Sequence, residues 1–296
     1  MSALRPSLLV AAALMLAAVI PARAQNPQNR ARLPVAAASS PAKPIPDIAT
    51  LMHRVLENQD RLDKIRENYA CRDARVVEKL NKYGDVLKTA SFVYQVSFFD
   101  GHQIKRLIEE NGRPLSAKAL KKEDRRIRKE IEKYAHDKSS GKQAEEERKA
   151  AVTIQDFLKA ERFYNPRRER LDGRSVIAFD FKANRAFRAR TGAEKLAQTL
   201  AGTIWIDARA AEVVRLEARF AKAYKVGWGL VAAVHPGTAV AIRQTLVNNQ
   251  VWLPTYTSFH VSARALFFHV NEDQTDRYSH YREFHVESSS HPFPPN

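Results

Sequence analysis

Cysteine is almost missing from this chain: Cys71 stands alone among 296 residues, so no intrachain disulfide can staple the fold. Cys71 also lies far beyond the N-terminal apolar run and lacks the small neighbours of a lipid-attachment site. That excludes an acylated N-terminus and leaves Cys71 as a small buried apolar side chain near the start of a strand. The common catalytic patterns are missing too: there is no Gly-x-Ser-x-Gly, no glycine loop to cradle phosphate and no His-Glu-x-x-His. His280 and His285 are five apart and fall on opposite faces of a strand, as do His260 and His269, nine apart. Asp180 alternates away from Phe179 and Phe181 and reads as a solvated or arginine-paired strand residue. No catalytic residue, cofactor or metal ligand is assigned, and the chain is not read as an enzyme.

Acid is absent from residues 1–24, where Arg5 precedes an apolar run from Leu8 to Ile20 and Ala22-Arg23-Ala24 closes the segment. This is the layout of a cleavable secretory signal, cut after Ala24. The run falls short of the ~20 residues that cross a bilayer, so an exported protein is expected. The chain carries a formal charge of +16, and loss of Arg5 and Arg23 leaves +14. Export takes nucleic acid out of reach, which leaves an anionic membrane surface or an acidic envelope protein as partners for so basic a surface.

What is present falls into blocks. Residues 25–46 hold Pro27, Pro34, Pro41, Pro44 and Pro46 and read as a semi-extended linker. Asp47 then caps a helix to about Glu67, with Ile48, Leu51, Met52, Val55, Leu56, Leu62 and Ile65 on one stripe. A three-strand meander follows from Tyr69, with turns at Asn81–Asp85, Asp100-Gly101 and Asn111-Gly112. Residues 117–150 hold 12 Lys or Arg and 8 Asp or Glu. They read as a charged helical insertion, capped by Ser116, broken at Ser139-Ser140-Gly141 into a hairpin and carrying Leu120, Ile127, Ile131 and Tyr134 inward. A short helix over Thr153–Ala160 and a hairpin around Asp172-Gly173 come next, then a helical turn over 193–200.

The most informative stretch is Gly202–Phe268. Ile204 and Ile206 oppose Thr203, Trp205 and Asp207; Val214, Leu216, Ala218 and Phe220 oppose Val213, Arg215, Glu217 and Arg219; Phe259 and Val261 oppose His260 and Ser262. Each segment offers one greasier face, so the fold class is α+β: a curved antiparallel sheet of roughly ten to eleven strands covered by a few helices. Tyr224–Val234 reads as one further strand, "RYSHYREFHV" as the last, and residues 288–296 as a tail. Residues 47–287 are taken as a single domain.

A leading amphipathic helix, a meander, a helical interruption and a second meander with "GTIWID", "VVRLEARF" and "NQVWLP" together resemble the periplasmic outer-membrane lipoprotein-sorting proteins of the LolA/LolB-like superfamily. The resemblance spans about residues 48–287; the charged segment 117–150 and the tail after Asn271 depart from it. It implies a half-barrel closed by helices around an apolar cavity for acyl chains, in the periplasm, with lipid or lipidated protein as the client. Without an attachment cysteine the chain is more similar to the soluble carrier than to the anchored acceptor. Strand alternation, not the resemblance, nominates the lining: Phe98, Phe179, Phe181, Ile206, Leu216, Phe220, Phe259 and Val261. Alternation leaves open whether that wall bounds a cavity or a sealed core. It also leaves open an envelope-stress sensor or other protein-interaction module on the same fold, docking through the charged arm.

Overall fold

Period-two alternation punctuated by Asx-Gly turns folds most of this chain into a single antiparallel sheet. A computed structural model describes residues 44–139, 154–226, 232–265 and 268–283. Helix α1 (Ile48–Arg66) starts where Asp47 Oδ1 accepts the Thr50 amide at 2.9 Å, the N-cap expected from the sequence. The first meander is β1 (Tyr69–Leu80), β2 (Val86–Phe99) and β3 (His102–Glu110), with the two-residue β4 (Arg113–Pro114) beyond Asn111-Gly112. Asp100 and Gly101 adopt φ of 50° and 85°, the left-handed pair that a tight hairpin turn requires. Helix α2 (Ala117–Ser139), the short α3 (Ile154–Ala160), β5 (Glu161–Leu171) and β6 (Arg174–Ala183) follow. Helix α4 (Gly192–Ala197) opens with a capping box between Thr191 and Glu194.

The second meander holds β7 (Leu200–Asp207), β8 (Glu212–Phe220), β9 (Tyr224–Val226), β10 (Ala232–Val234), β11 (Ala239–Val247), β12 (Val251–Ala265) and β13 (Phe268–Glu283). The strand path runs β4-β3-β2-β1-β13-β12-β11-β8-β7-β6-β5, with β9 and β10 pairing beside β12. Its two ends, β4 and β5, do not meet, so the sheet is a large curved antiparallel sheet that is not closed, with few helices: a half-barrel.

Several expectations are corrected. Tyr224–Val234 is not one strand: β9 and β10 pair antiparallel with each other, Val226 opposite Ala232. The last strand begins at Phe268 rather than Arg277, and the segment after Asn271 is a central strand between β12 and β1. Its alternation is invisible because Glu272, Gln274 and Asp276 occupy the positions where a half-buried strand normally carries apolar side chains. Val214 does not share a face with Leu216. A register shift in the β7–β8 ladder puts Val213 opposite Ile206, and Val214 packs instead with Trp205 and Trp252 in a second cluster. The second arm expected after Ser139 lies outside the described residues, as do the signal, most of the linker, His285 and the tail.

Helix α2 is bound to the sheet. Ile127 and Ile104 are buried between them, Arg106 pairs with Asp124 at 2.7 Å, and Tyr134 stacks on His102 with centroids 4.4 Å apart. Leu120, Ile131 and Tyr134 are half-buried, while Lys118, Lys121, Lys122, Arg125, Arg128 and Lys129 are exposed.

Candidate binding site

Directly paired residues of an antiparallel ladder share a face, so the register alone assembles the wall. One row reads Phe179, Ile204, Leu216, Ile242; the next reads Phe181, Gly202, Ala218, Val240, Phe259. Leu200 and Phe220 pair in a third, and Ile177 with Ile206 in a fourth. Seven of the eight nominated residues, Phe179, Phe181, Ile206, Leu216, Phe220, Phe259 and Val261, thus meet in one cluster, each buried. The edge contributes a triad of rings, with Phe157 5.7 Å from Phe163 and 5.0 Å from Phe181. Gly202 is required where it stands: a Cβ there would lie 1.9 Å from the Glu217 carbonyl oxygen, so the strands approach more closely than any side chain permits.

Phe98 is not part of this wall. It is half-buried on β2, three strands beyond β12 along the sheet path. The rows through Phe259 and Thr257 turn polar beyond β12: Phe259 pairs with Gln274, and Thr257 with Asp276, which in turn faces Arg75. Here the same face carries a buried ionic network. Asp276 accepts from Arg75 at 2.5 Å and from Thr257 and Gln274 at 2.8 and 2.7 Å, while Asp73 accepts from Lys105 at 2.8 Å. Burial pushes both carboxyls up; Arg75 and Lys105 overcome it at Asp276, which is held low, whereas Asp73 stays raised. The network puts charged and polar side chains at the buried positions of β13 and separates the apolar parity of β2 from the wall.

The roof of the wall is α1, whose Leu51, Met52 and Val55 belong to the same cluster. Two polar ties hold its C-terminal half: Asn58 donates to the Ala210 carbonyl at 2.8 Å, and Arg66 pairs with Glu212 at 3.2 Å. Glu212 also accepts the Trp252 amide, and burial pushes its carboxyl up to about 7 against the pull of Arg66.

On the opposite face, a groove of about 450 Å³ crosses β7, β8, β11, β12 and β13. It is walled by Thr203, Glu217, Arg219, Ser258, His260 and Thr275, and no residue of α1 lines it. His260 pairs with Asp273 at 2.8 Å, a bond that raises its pKa. Of the eight nominated residues only Phe259 touches this groove. Asp180 lies on this face, accepting from Arg167, Asn165 and Thr203 as an arginine-paired strand residue. Burial, with Asp73 beside it, pushes the Cys71 thiol up to about 12. Among the described residues no three His, Cys, Asp or Glu side chains are grouped to hold a metal ion.

One wall residue went unread. Glu161 is 3% exposed, and neither carboxyl oxygen has a hydrogen-bond partner among the described residues. Glu161 shares the parity of Phe163, which pairs with Phe181. That parity was the available clue.

No family model and no curated protein matches the chain. Solved structures do. An outer membrane lipoprotein-sorting protein domain from Vibrio parahaemolyticus is similar over 78% of this chain and 91% of its own, at 9% identity and a TM-score of 0.32. A LolA superfamily protein from Nitrosomonas europaea is similar over 81% and 94%, at 9% identity and a TM-score of 0.23. MucB in complex with MucA is similar over 81% and 100%, at 8% identity and a TM-score of 0.24. At such scores the likeness carries no functional weight, which rests on the wall itself. Among the described residues no helix is long and apolar enough to cross a membrane.

Proposed function

We propose that this chain is an exported periplasmic carrier whose apolar wall takes the acyl chain of a lipid or lipidated protein in the space that α1 fills. The carrying observation is that seven wall residues converge under one amphipathic helix on a sheet that is not closed. Magnitudes favour exchange. Burying Leu51, Met52 and Val55 is worth roughly 5 to 9 kcal/mol at 1.5 to 3 kcal/mol each. An acyl chain of about twelve methylenes recovers ~10 kcal/mol at 0.8 kcal/mol apiece. A ligand can therefore replace the helix on the wall at little net cost, with Arg66 and Asn58 retaining its C-terminal end. In this reading residues 47–287 form one domain, 117–150 are an insertion, and no reaction is catalysed.

The test is native mass spectrometry of gently purified mature protein, followed by titration with a fluorescent fatty-acyl probe. Copurified lipid, and probe binding that Leu216→Asn weakens, are expected; a wild type that carries no lipid and binds no probe refutes the carrier. The competing reading, an envelope-stress sensor or protein-interaction module, is favoured by the cationic outer face of α2. A stable complex with a membrane-protein ectodomain, lost when those lysines and arginines are reversed in charge, would establish it instead.

A further inference from the structure

A buried carboxyl without a partner is costly, and each one in a folded protein asks for a reason. Glu161 opens β5 directly after α3, beside Ala160, which is fully buried. Its cross-strand partner is Ala183, one step along from the Lys182–Ala201 pair, so the next side chain across the sheet on that face is Leu200. Leu200 pairs with Phe220. Two residues along β5, Phe163 sits opposite Phe181, their centroids 6.2 Å apart. Glu161 is thus a polar point set into the edge of the apolar wall, with both oxygens unused.

We infer that Glu161 binds the polar end of the occupant, and that this end is the amide of an N-acyl group, whose chain lies on Phe181, Phe220 and Leu200. The inference rests on the carrier reading. Its chemistry follows from the acid having no partner: a protonated carboxyl carries an O–H donor, best satisfied by the strongest acceptor that an occupant can bring. An amide carbonyl is a stronger hydrogen-bond acceptor than an ester carbonyl, and because the N–H of a trans amide points the other way, a single O–H···O=C bond joins the two. An ester satisfies the donor less well, and a hydrocarbon not at all. Burial pushes the carboxyl up to about 9, so the acid is neutral and able to donate at neutral pH. A neutral pair also avoids bringing a charge into the wall.

The experiment competes three probes of equal chain length, N-methyldodecanamide, methyl dodecanoate and tetradecane, against a fluorescent acyl probe on the mature protein, its Glu161→Leu variant and its Glu161→Gln variant. Leucine removes the unpartnered acid, so that variant should fold at least as well as wild type, checked by its melting temperature. The wild type is expected to bind the amide about tenfold more tightly than the hydrocarbon, the ester falling between, as one net hydrogen bond implies. Glu161→Leu should abolish the preference and Glu161→Gln should keep it, since a carboxamide also donates. The inference is overturned if wild type prefers the ester or shows no preference, or if Glu161→Leu retains the amide preference. Hydrocarbon binding without any preference would sink this inference alone; a wild type that binds none of the three sinks the carrier reading as well.

Discussion

Replacing Glu161 by glutamine should make the ligand-free protein more stable at neutral pH and its stability less dependent on pH. The carboxyl titrates at 4.5 when exposed and at about 9 in the fold, with burial as the cause. Between those values the folded chain holds a proton that the unfolded chain releases. Stability therefore falls as pH rises from 4.5 towards 9, and the penalty is absent below 4.5. At pH 7 the gap is about 2.5 pH units, or ~3 kcal/mol at 1.36 kcal/mol per unit. Glutamine matches the neutral acid in size and does not titrate, so the two proteins should be within about 1 kcal/mol of each other at pH 4.5. They should separate by ~3 kcal/mol at pH 7 and further at pH 8.5. Urea unfolding of both proteins at the three pH values measures the difference directly, and Glu212, which titrates in the same direction, cancels because both carry it. A separation that stays constant across the series would show that Glu161 is solvated or paired, and would remove the physical basis for its role as an anchor.

Gly202→Ala places a Cβ 1.9 Å from a backbone oxygen and 2.9 Å from the Ala218 Cα, so a loss of ~3 kcal/mol or more is expected; a melting temperature within a few degrees of wild type would contradict the close approach. Arg75→Met leaves Asp73 and Asp276 buried beside each other with only Lys105 between them, and should cost about 3 to 5 kcal/mol, more than Arg75→Met combined with Asp276→Leu in a double-mutant cycle. Bridging out residues 117–150 with a short Gly-Ser linker uncovers Ile104 and should lower stability by about 2 kcal/mol while keeping one cooperative transition; calorimetry that finds no transition would make α2 indispensable. N-terminal sequencing of the exported protein should read from Gln25, and recovery of Met1, or of protein resisting an alkaline wash of membranes, would defeat the secretory reading.

Elements with a strong local period were legible in the chain itself. The Asp47-capped helix, the Asx-Gly hairpins and the alternation of Phe179, Phe181, Ile204, Leu216 and Phe220 follow from nearest-neighbour geometry, which a sequence records directly. What the sequence could not supply was partnership between distant strands. β13 has polar side chains at the buried positions because Asp276 is matched by Arg75, some two hundred residues earlier, and an ion pair leaves no periodic trace. A register shift in the β7–β8 ladder sent Val214 to the other face, which no count of alternating residues foresees. Phe98 had the right parity, yet its strand lies beyond the ionic network, so the apolar wall never reaches it. Glu161 gained its meaning only when the ladder set it beside Leu200 and Phe220 and left it without a partner. Local periodicity decided which side of each strand is apolar; the strand order and register decided which of those sides share one wall, because burial and pairing are properties of neighbours that the chain brings together only on folding.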